Sequence, residues 1–240
     1  KERKYIKSLF AYFITQLGII FSNYYLVTSK SDLRFITKKY FFTNNKVLLR
    51  PNWVDIPIQT KSINERLEKN ILSVGRLEKQ KNYYQLINDF KNSEFLLDIV
   101  GSGTKQEELK LLADTNNTKC NFFGNMEHDK LLEAYKEYKI FITSTLYEGN
   151  PKTILEAMGN GCVVIAPNIS NINEIIENNR NGILFEPNDC NLSELVKNVI
   201  EDSEKLDELS KNSISYIKKY FSFESAVQNE ELDYINLISS

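Results

Sequence analysis

The sequence has few of the residues that hold metal ions or build disulfide frameworks. It contains one histidine and three cysteines in 240 residues. The cysteines have an odd count and no CxxC spacing, so we expect reduced thiols of a cytoplasmic protein: Cys120, Cys162 and Cys190. An Asp-x-Asp motif is also absent, as is any cluster of His, Cys or carboxylates at metal-ligand spacing. We therefore expect no metal site.

The sequence also lacks a strong excess of one charge and a long uninterrupted apolar run. Its formal net charge is -2 with both signs mixed, which argues against a nucleic-acid partner. The segment 9–27 is the longest apolar stretch, but polar residues interrupt it, and a membrane span needs about 20 mostly apolar residues. We expect a buried helix followed by a strand. The basic residues before it leave a membrane-surface helix as the alternative, and no signal peptide is expected.

Short apolar segments alternate with helical patterns after residue 70, which predicts an α/β fold with a doubly wound parallel sheet covered on both faces. The predicted strands are Asn70–Val74, Phe95–Val100, Cys120–Phe123, Ile140–Ser144, Val163–Pro167 and Gly182–Phe185. The predicted helices are Tyr83–Phe90, Lys105–Thr115, His128–Tyr138, Asn171–Glu177, Leu192–Tyr220 with a break near Ser203, and Phe223–Ile238. Glycines at the strand ends mark the carboxyl edge, where such sheets bind ligands.

The stretch from Glu148 to Glu156 is the most informative motif of the chain. Two carboxylates flank a loop that turns into a helix, with Gly149 as a hinge, Asn150 as the predicted N-cap and Pro151 at the first helical position. The free N–H groups and the dipole of a helix N-terminus attract anions. A carboxylate on each side suits a ligand with hydroxyls at both ends and a diphosphate in the middle. A nucleotide-sugar has that layout.

Two cations follow the first predicted strand of the sheet. Arg76 and Lys81 lie at the carboxyl edge and could stabilise a diphosphate leaving group, although loop cations are ordinarily just solvated. Gly101-Ser102-Gly103 is only part of a dinucleotide fingerprint, because position 106 is Gln, so a nicotinamide site is not expected. Two interpretations of this glycine segment remain, a tight turn and a contact with the donor. We interpret His128 as an exposed first-turn residue, not as a catalytic base.

In order and spacing, these motifs resemble the carboxyl-terminal donor-binding part of retaining GT-B-fold glycosyltransferases of the group 1, or family 4, type. The matching segments are Val74–Leu77 with Lys81, Ile99–Gly103, Phe122–Gly124, Glu148–Glu156, Gly161–Ala166 and Asn181–Phe185. The resemblance implies a Rossmann-like domain that binds a nucleotide-sugar donor. It also implies transfer of the sugar with retention to a sugar, lipid-linked or other hydroxyl acceptor, in polysaccharide or glycolipid biosynthesis. A nucleotide-sugar epimerase and a non-catalytic nucleotide-sugar-binding module are the alternatives.

The resemblance also implies roles for individual residues, without a cofactor beyond the donor and without a metal. The catalytic group is Glu148 near the donor sugar, with Arg76 and Lys81 on the diphosphate. Glu156 would bind the ribose, and the segment 123–126 would lie near the nucleobase. The donor-binding set is Gly75, Gly101, Gly103, Phe123, Gly124, Asn125, Met126, Gly149, Asn150, Pro151, Lys152, Thr153, Ile154 and Glu156.

The chain departs from the family pattern in three positions and in length. Trp53 stands where the family usually has glycine, Val163 where proline is common, and Asn171 where a glycine-rich turn is common. Only about 55 residues precede the polar segment 56–69 that we interpret as a linker. We therefore expect an incomplete protein, poorly active alone, cytoplasmic, with the inner face of the membrane as a further location. Its predicted parts are 1–55 (a remnant of the amino-terminal domain), 56–69 (linker), 70–221 (nucleotide-sugar domain) and 222–240 (a helix packing back toward the amino-terminal segment).

Overall fold

The computed structural model describes residue 14 and residues 17–40, 46–187 and 191–239. The chain divides into two compact units between Pro51 and Asn52. In the first unit, strands β1 (Tyr25–Val27) and β2 (Val47–Leu49) pair in parallel and are connected through helix α1 (Lys30–Lys39). Helix α1 begins after Ser29, whose hydroxyl accepts a hydrogen bond from a first-turn backbone amide, as N-cap serines do.

The second unit alternates strands and helices along the chain. Its strands are β3 (Leu67–Val74), β4 (Leu96–Val100), β5 (Cys120–Gly124), β6 (Tyr138–Ile142), β7 (Val163–Pro167) and β8 (Ile183–Phe185). Its helices are α2 (Tyr83–Asp89), α3 (Gln106–Asn116), α4 (His128–Tyr135), α5 (Lys152–Gly159), α6 (Leu192–Glu201), α7 (Ser203–Tyr220) and α8 (Phe223–Ser239). Two short 3₁₀ helices cover Ile63–Glu65 and Lys79–Lys81.

The six strands of this unit form one parallel sheet in the order β5-β4-β3-β6-β7-β8. The predicted doubly wound α/β fold is thereby confirmed. From β3 the chain continues to one side of the sheet, and from β6 it continues to the other. The two directions separate at the carboxyl ends of β3 and β6, and this switch point is where open α/β sheets place their ligand crevice.

Alternation along the strands supplies a hydrophobic core on each face. Successive side chains of a strand point to opposite faces, and in β3 Ile71 belongs to one core while Leu72 belongs to the other. Helices α2, α3 and α6 cover the first face, and α4 and α5 cover the second. Because both faces are covered, the strand segments that contact the two cores are largely apolar, which is why they stood out in the sequence.

Two local predictions were wrong. Strand β3 begins at Leu67, inside the segment predicted as a linker. The predicted helix 171–177 is a series of turns instead, and its first residue, Asn171, has a left-handed backbone conformation (φ 70°). The break predicted near Ser203 in the helical segment 192–220 is confirmed, since one helix ends at Glu201 and the next begins at Ser203.

Within the described residues, none of the helices combines the length and the hydrophobicity that crossing a membrane requires. The apolar stretch 9–27 lies partly outside the described residues. Its described portion contains helical residues 17–21 and strand β1. The location of each predicted domain boundary and the packing of the tail toward the amino-terminal segment stay predictions.

We expect Gly101→Ala to destabilise the protein severely. Gly101 has φ 135°, and a Cβ there would lie 2.0 Å from the carbonyl oxygen of Gly75. Backbone strain and overlap together should lower the free energy of unfolding by at least about 3 kcal/mol, and a chain of this size loses about 2–4 °C in Tm per kcal/mol. Gly149→Ala is the matched control, because nothing lies within 4 Å of its added methyl group. Thermal unfolding of Gly101→Ala close to that of the control would contradict this reading of the turn.

Candidate functional site

Two loops meet at the carboxyl ends of β3 and β6. The backbone N–H of Leu146 donates to the carbonyl of Gln80 over 2.9 Å, and the Gln80 side-chain amide donates to the carbonyl of Tyr147 over 2.9 Å. The Ser144 hydroxyl donates to the carbonyl of Asn82 over 2.9 Å. These bonds hold the loop after β3 against the loop after β6, so the side chains on the two loops keep a fixed spacing.

Lys81 and Glu148 form an ion pair across these loops. The Lys81 ammonium lies 2.5 Å from Glu148 Oε2, and the two side chains are only 14% and 11% exposed. Shielding from water strengthens such a pair relative to one on the surface. The structure therefore brings together two residues that the sequence placed in one site but 67 positions apart.

Arg76 lies at the same edge but makes a different kind of contribution. It follows Gly75 directly after β3, and its side chain is exposed. Within the described part of the chain it has no ion pair or side-chain hydrogen bond. The pKa of Glu78 is lowered mainly by hydrogen bonds from Thr104 and to a smaller extent by the charge of Arg76. The structure therefore leaves Arg76 as a solvated cation beside the Lys81–Glu148 pair.

Asn171 supports the loop that carries Glu148. Its side-chain amide donates to the carbonyl of Glu148 over 2.8 Å and to the carbonyl of Gly149 over 3.3 Å. The residue is buried and sits in the left-handed backbone region that asparagine tolerates. The side chain thus replaces the backbone contacts that a glycine-rich turn could make, and it is a positioning residue that sequence reasoning missed.

Helix α5 starts one residue later than predicted. Lys152 is its first residue and Pro151 occupies the N-cap, while no side chain caps the helix. The prediction of Asn150 as N-cap is therefore wrong. The N-terminus of α5 still follows the ion-paired Glu148 by only a few residues in the chain. Its amides are partly occupied, because the N–H of Lys152 donates to the carbonyl of Asn150 over 2.9 Å and the N–H of Ile154 donates to the carbonyl of Pro151 over 3.0 Å.

Glu156 is a buried carboxylate in the middle of α5. It is 4% exposed, and the Tyr135 hydroxyl donates to its Oε2 over 3.4 Å. Lys152 Nζ lies 3.7 Å and His128 Nδ1 lies 3.9 Å from its Oε1. Burial raises the pKa of Glu156 above its ordinary value, and the nearby Lys152 and His128 oppose that rise. The charged carboxylate is thus held at a cost in solvation.

A cavity of about 240 Å³ opens onto Glu156. Its lining residues are Asn52, Trp53, Val54, Asp55, His128, Asn150, Lys152 and Glu156. The predicted site residues therefore fall into two adjacent groups, one around the Lys81–Glu148 pair and one around this cavity. The segment 148–152 joins them.

The glycine turn after β4 and the segment after β5 contact each other at the same edge. The Ser102 hydroxyl donates to Asn125 Oδ1 over 2.8 Å, and the backbone N–H of Gly101 donates to the carbonyl of Gly124 over 2.7 Å. A Cβ at Gly103 would lie 2.4 Å from the carbonyl of Leu77. Close backbone approach thus accounts for these glycines without a ligand, which favours the tight-turn interpretation.

The remaining predicted residues lie along the same edge. Phe123 is exposed, whereas Met126 packs against the core of the second face. Among the described residues, no group of three or more His, Cys, Asp or Glu could hold a metal ion. Cys120 and Cys162 are free thiols, and burial raises the pKa of each to about 12, while Cys190 lies outside the described residues.

Sequence reasoning missed several polar residues that build this edge. Gln80, Ser144 and Thr145 fasten the two loops, and the Thr145 hydroxyl donates to the carbonyl of Tyr147 over 2.9 Å. A signal was available, because Thr143-Ser144-Thr145 directly follows a buried strand. Polar side chains at that position of a parallel sheet face the ligand edge.

Residues 55–216, more than half of the chain, match the family model of the glycosyl transferases group 1. The chain belongs to this family. The chain is 30% identical over 154 residues to the GtfA subunit of a UDP-N-acetylglucosamine–peptide N-acetylglucosaminyltransferase from Streptococcus agalactiae, covering 62% of this chain and 30% of that protein. It is 28% identical over 228 residues to a UDP-Gal:alpha-D-GlcNAc-diphosphoundecaprenol alpha-1,3-galactosyltransferase from Escherichia coli, covering 86% and 58%.

The structure of Anabaena HepE in complex with UDP superposes on the chain with a TM-score of 0.78 at 18% identity, covering 94% of this chain and 66% of that one. This group 1 chain therefore has the GT-B-type α/β fold that the resemblance implied, and the family prediction is confirmed. The chain spans 30% and 58% of the lengths of the two curated relatives named above.

We expect Glu156→Gln to raise the Tm of the ligand-free protein at pH 8. Folding raises the pKa of Glu156, so between the unfolded and folded pKa values the folded protein binds more protons than the unfolded chain. The free energy of unfolding therefore falls as pH rises through that interval. The neutral amide removes that loss. The gain over the parent should shrink as pH falls below the ordinary pKa of glutamate. Glu208→Gln, on the exposed face of α7, is the control and should leave the Tm close to that of the parent. A Glu156→Gln variant that is less stable than the parent at pH 8 would contradict this prediction.

We expect Asn171→Gly to lower stability by about 1–2 kcal/mol, because it keeps the backbone conformation but removes two hydrogen bonds to the Glu148–Gly149 segment. Asn171→Ala should be worse, since alanine disfavours φ 70°. The matched control is Asn92→Gly, at another left-handed asparagine, whose side chain is exposed. Thermal unfolding of the three variants checks the order. Equal Tm values for Asn171→Gly and Asn92→Gly would show that the two hydrogen bonds do not hold the loop.

Proposed function

We propose that this chain is the donor-binding part of a retaining glycosyltransferase that moves a hexosyl group from a nucleoside-diphosphate sugar to an acceptor hydroxyl. The observation that carries the proposal is the shielded Lys81–Glu148 pair at the switch point, on the loops that meet ahead of α5. One cation and one carboxylate meet there, and the positive end of the α5 dipole favours anions nearby. A diphosphate attached to a sugar carries the complementary groups.

Positive charge for the diphosphate comes from three side chains. Lys81 lies inside the crevice, Arg76 is solvated at its rim, and Lys152 begins helix α5. The positive end of the α5 dipole adds to this charge. As the glycosidic bond breaks, negative charge grows on the departing nucleoside diphosphate. Fixed cations at that place stabilise the developing charge more than they stabilise the intact donor.

Glu148 and Glu156 have different tasks in this proposal. The diphosphate draws the Lys81 ammonium away from Glu148, which then accepts hydrogen bonds from hydroxyls of the donor sugar. Glu156 accepts hydrogen bonds from the ribose diol, for which its charged form is needed. Lys152 and His128 favour that charged form.

The relatives support the choice of substrate class. Two curated relatives are named for UDP-N-acetylglucosamine and UDP-Gal donors, and the HepE structure holds UDP. Acceptors differ between the relatives, being a peptide and a diphosphoundecaprenol-linked sugar. For this chain we propose a sugar, lipid-linked or other hydroxyl acceptor, a role in polysaccharide or glycolipid assembly, action in the cytoplasm or at the inner membrane face, no metal, and little turnover by the 240-residue chain alone.

We expect UDP, GDP or ADP to raise the Tm of the chain, since a ligand that binds only the folded state stabilises it. Calorimetry should then show that Arg76→Ala and Glu156→Gln each weaken the preferred nucleotide by at least about tenfold, because each loses a charge-assisted hydrogen bond. Arg180→Ala is the control. This exposed arginine, paired with Glu177, lies just before β8 and therefore at the opposite edge of the sheet.

Two results would overturn the proposal. One is the absence of binding for all three nucleotides together with their sugar derivatives. The other is nucleotide binding that Arg76→Ala, Glu156→Gln and Arg180→Ala leave equally unchanged. Interconversion of free nucleotide-sugars without an acceptor would instead identify an epimerase.

A further inference from the structure

Trp53 stands in an unusual position for a large aromatic side chain. It is 43% exposed, yet its ring is held in place. The ring packs edge-on against Phe223 with centroids 5.0 Å apart. The next residue, Val54, is buried and its N–H donates to the carbonyl of Phe221 over 2.9 Å. An exposed aromatic face on a fixed backbone is typical of a surface prepared for a partner.

The exposed indole lies on the cavity that also contains Glu156. Three kinds of group therefore share this space: an aromatic ring from Trp53, a carboxylate from Glu156 and an ammonium from Lys152. The cavity volume of about 240 Å³ is smaller than the ~300–1,000 Å³ of a pocket for a whole drug-sized ligand. It suits one portion of a larger ligand, and that portion must offer a flat ring, hydroxyls and a neighbouring anion.

A nucleoside attached to a diphosphate has these groups in this order. Its base is flat, its ribose carries a diol for Glu156, and its phosphates follow toward Lys152 and the N-terminus of α5. We propose that Trp53 stacks on the nucleobase of the donor and forms one wall of the nucleoside pocket. The inference rests on the proposed function and deepens it by naming a binding residue on the segment before the sheet.

Trp53 supplies the stacking surface of the proposed contact. Since every base has an aromatic face, stacking adds affinity without selecting one base strongly. Trp53 therefore strengthens nucleotide binding, while selection between bases is left to other contacts.

The chain contains a single tryptophan, so its fluorescence reports on this position alone. Titration with UDP, GDP and ADP should quench the emission, and the quenching should saturate at the Kd that calorimetry gives for the same nucleotide. Inorganic pyrophosphate, which has no base, should leave the emission unchanged. Binding by calorimetry without quenching, or equal quenching by pyrophosphate, would overturn the inference.

Substitutions separate stacking from simple bulk. Trp53→Phe keeps an aromatic face and should keep nucleotide affinity within about threefold, whereas Trp53→Leu and Trp53→Gly should weaken it about tenfold. Circular dichroism and Tm establish that each variant is folded, and a variant that fails to fold is replaced by Trp53→Met. Parent-like affinity in the folded Leu or Met variant would overturn stacking on the base.

The two proposals fail in distinguishable ways. If no nucleotide or nucleotide-sugar binds the parent chain, the proposed function fails and the inference fails with it. If nucleotides bind, and Glu156→Gln weakens them while Trp53→Leu does not, only the stacking inference fails.

Discussion

The candidate site depends on one topological constraint, the reversal of winding between β3 and β6. These strands are neighbours in the sheet, but the chain leaves them toward opposite sides. Neither connection can cover the space above the strand ends, so a crevice remains between the two loops. Hydrogen bonds from Leu146, Ser144 and Gln80 then fix the loops at the spacing in which Lys81 reaches Glu148.

Helix α5 contributes both to the hydrophobic core and to the candidate site. Four of its side chains, Ile154, Leu155, Ala157 and Met158, belong to the core of the second face. The same eight-residue helix presents its N-terminus to the crevice and carries Glu156. Because the helix is fixed by its core residues, Glu156 is held at this position, 4% exposed and at the edge of the cavity. The packing of the helix therefore keeps the carboxylate partly desolvated, and a ligand that donates hydrogen bonds to it offsets that desolvation cost.

The strands and the family could be predicted from the sequence because their signals are local. Apolar runs such as 163–167 and the Glu148–Glu156 spacing are visible without knowledge of tertiary contacts. The predicted helix 171–177 shows where such signals mislead. Ile172, Ile175 and Ile176 have helical spacing and are buried, yet the segment forms turns after the left-handed Asn171.

What could not be predicted depends on contacts between distant segments. Asn171 holds the Glu148 loop across 23 positions, and His128 approaches Glu156 from another helix. The sequence marks Trp53 only as a departure from a family pattern, because no local sequence signal shows that it lines a cavity with Glu156. Local sequence patterns therefore predict the strands and helices. The residues that position the side chains of the site are brought there by the tertiary arrangement of the sheet.

In the crevice, Lys81 and Glu148 neutralise each other's charge. A small anion that takes the ammonium leaves Glu148, 11% exposed, without its counter-charge, and a neutral sugar that takes the carboxylate leaves the ammonium in the same condition. Binding of a phosphate alone or of a sugar alone therefore leaves one shielded charge unpaired, which costs free energy. In the proposed function, a molecule that carries phosphate and hydroxyls together satisfies both partners at once, so the ion pair would favour it over a lone phosphate or a free sugar.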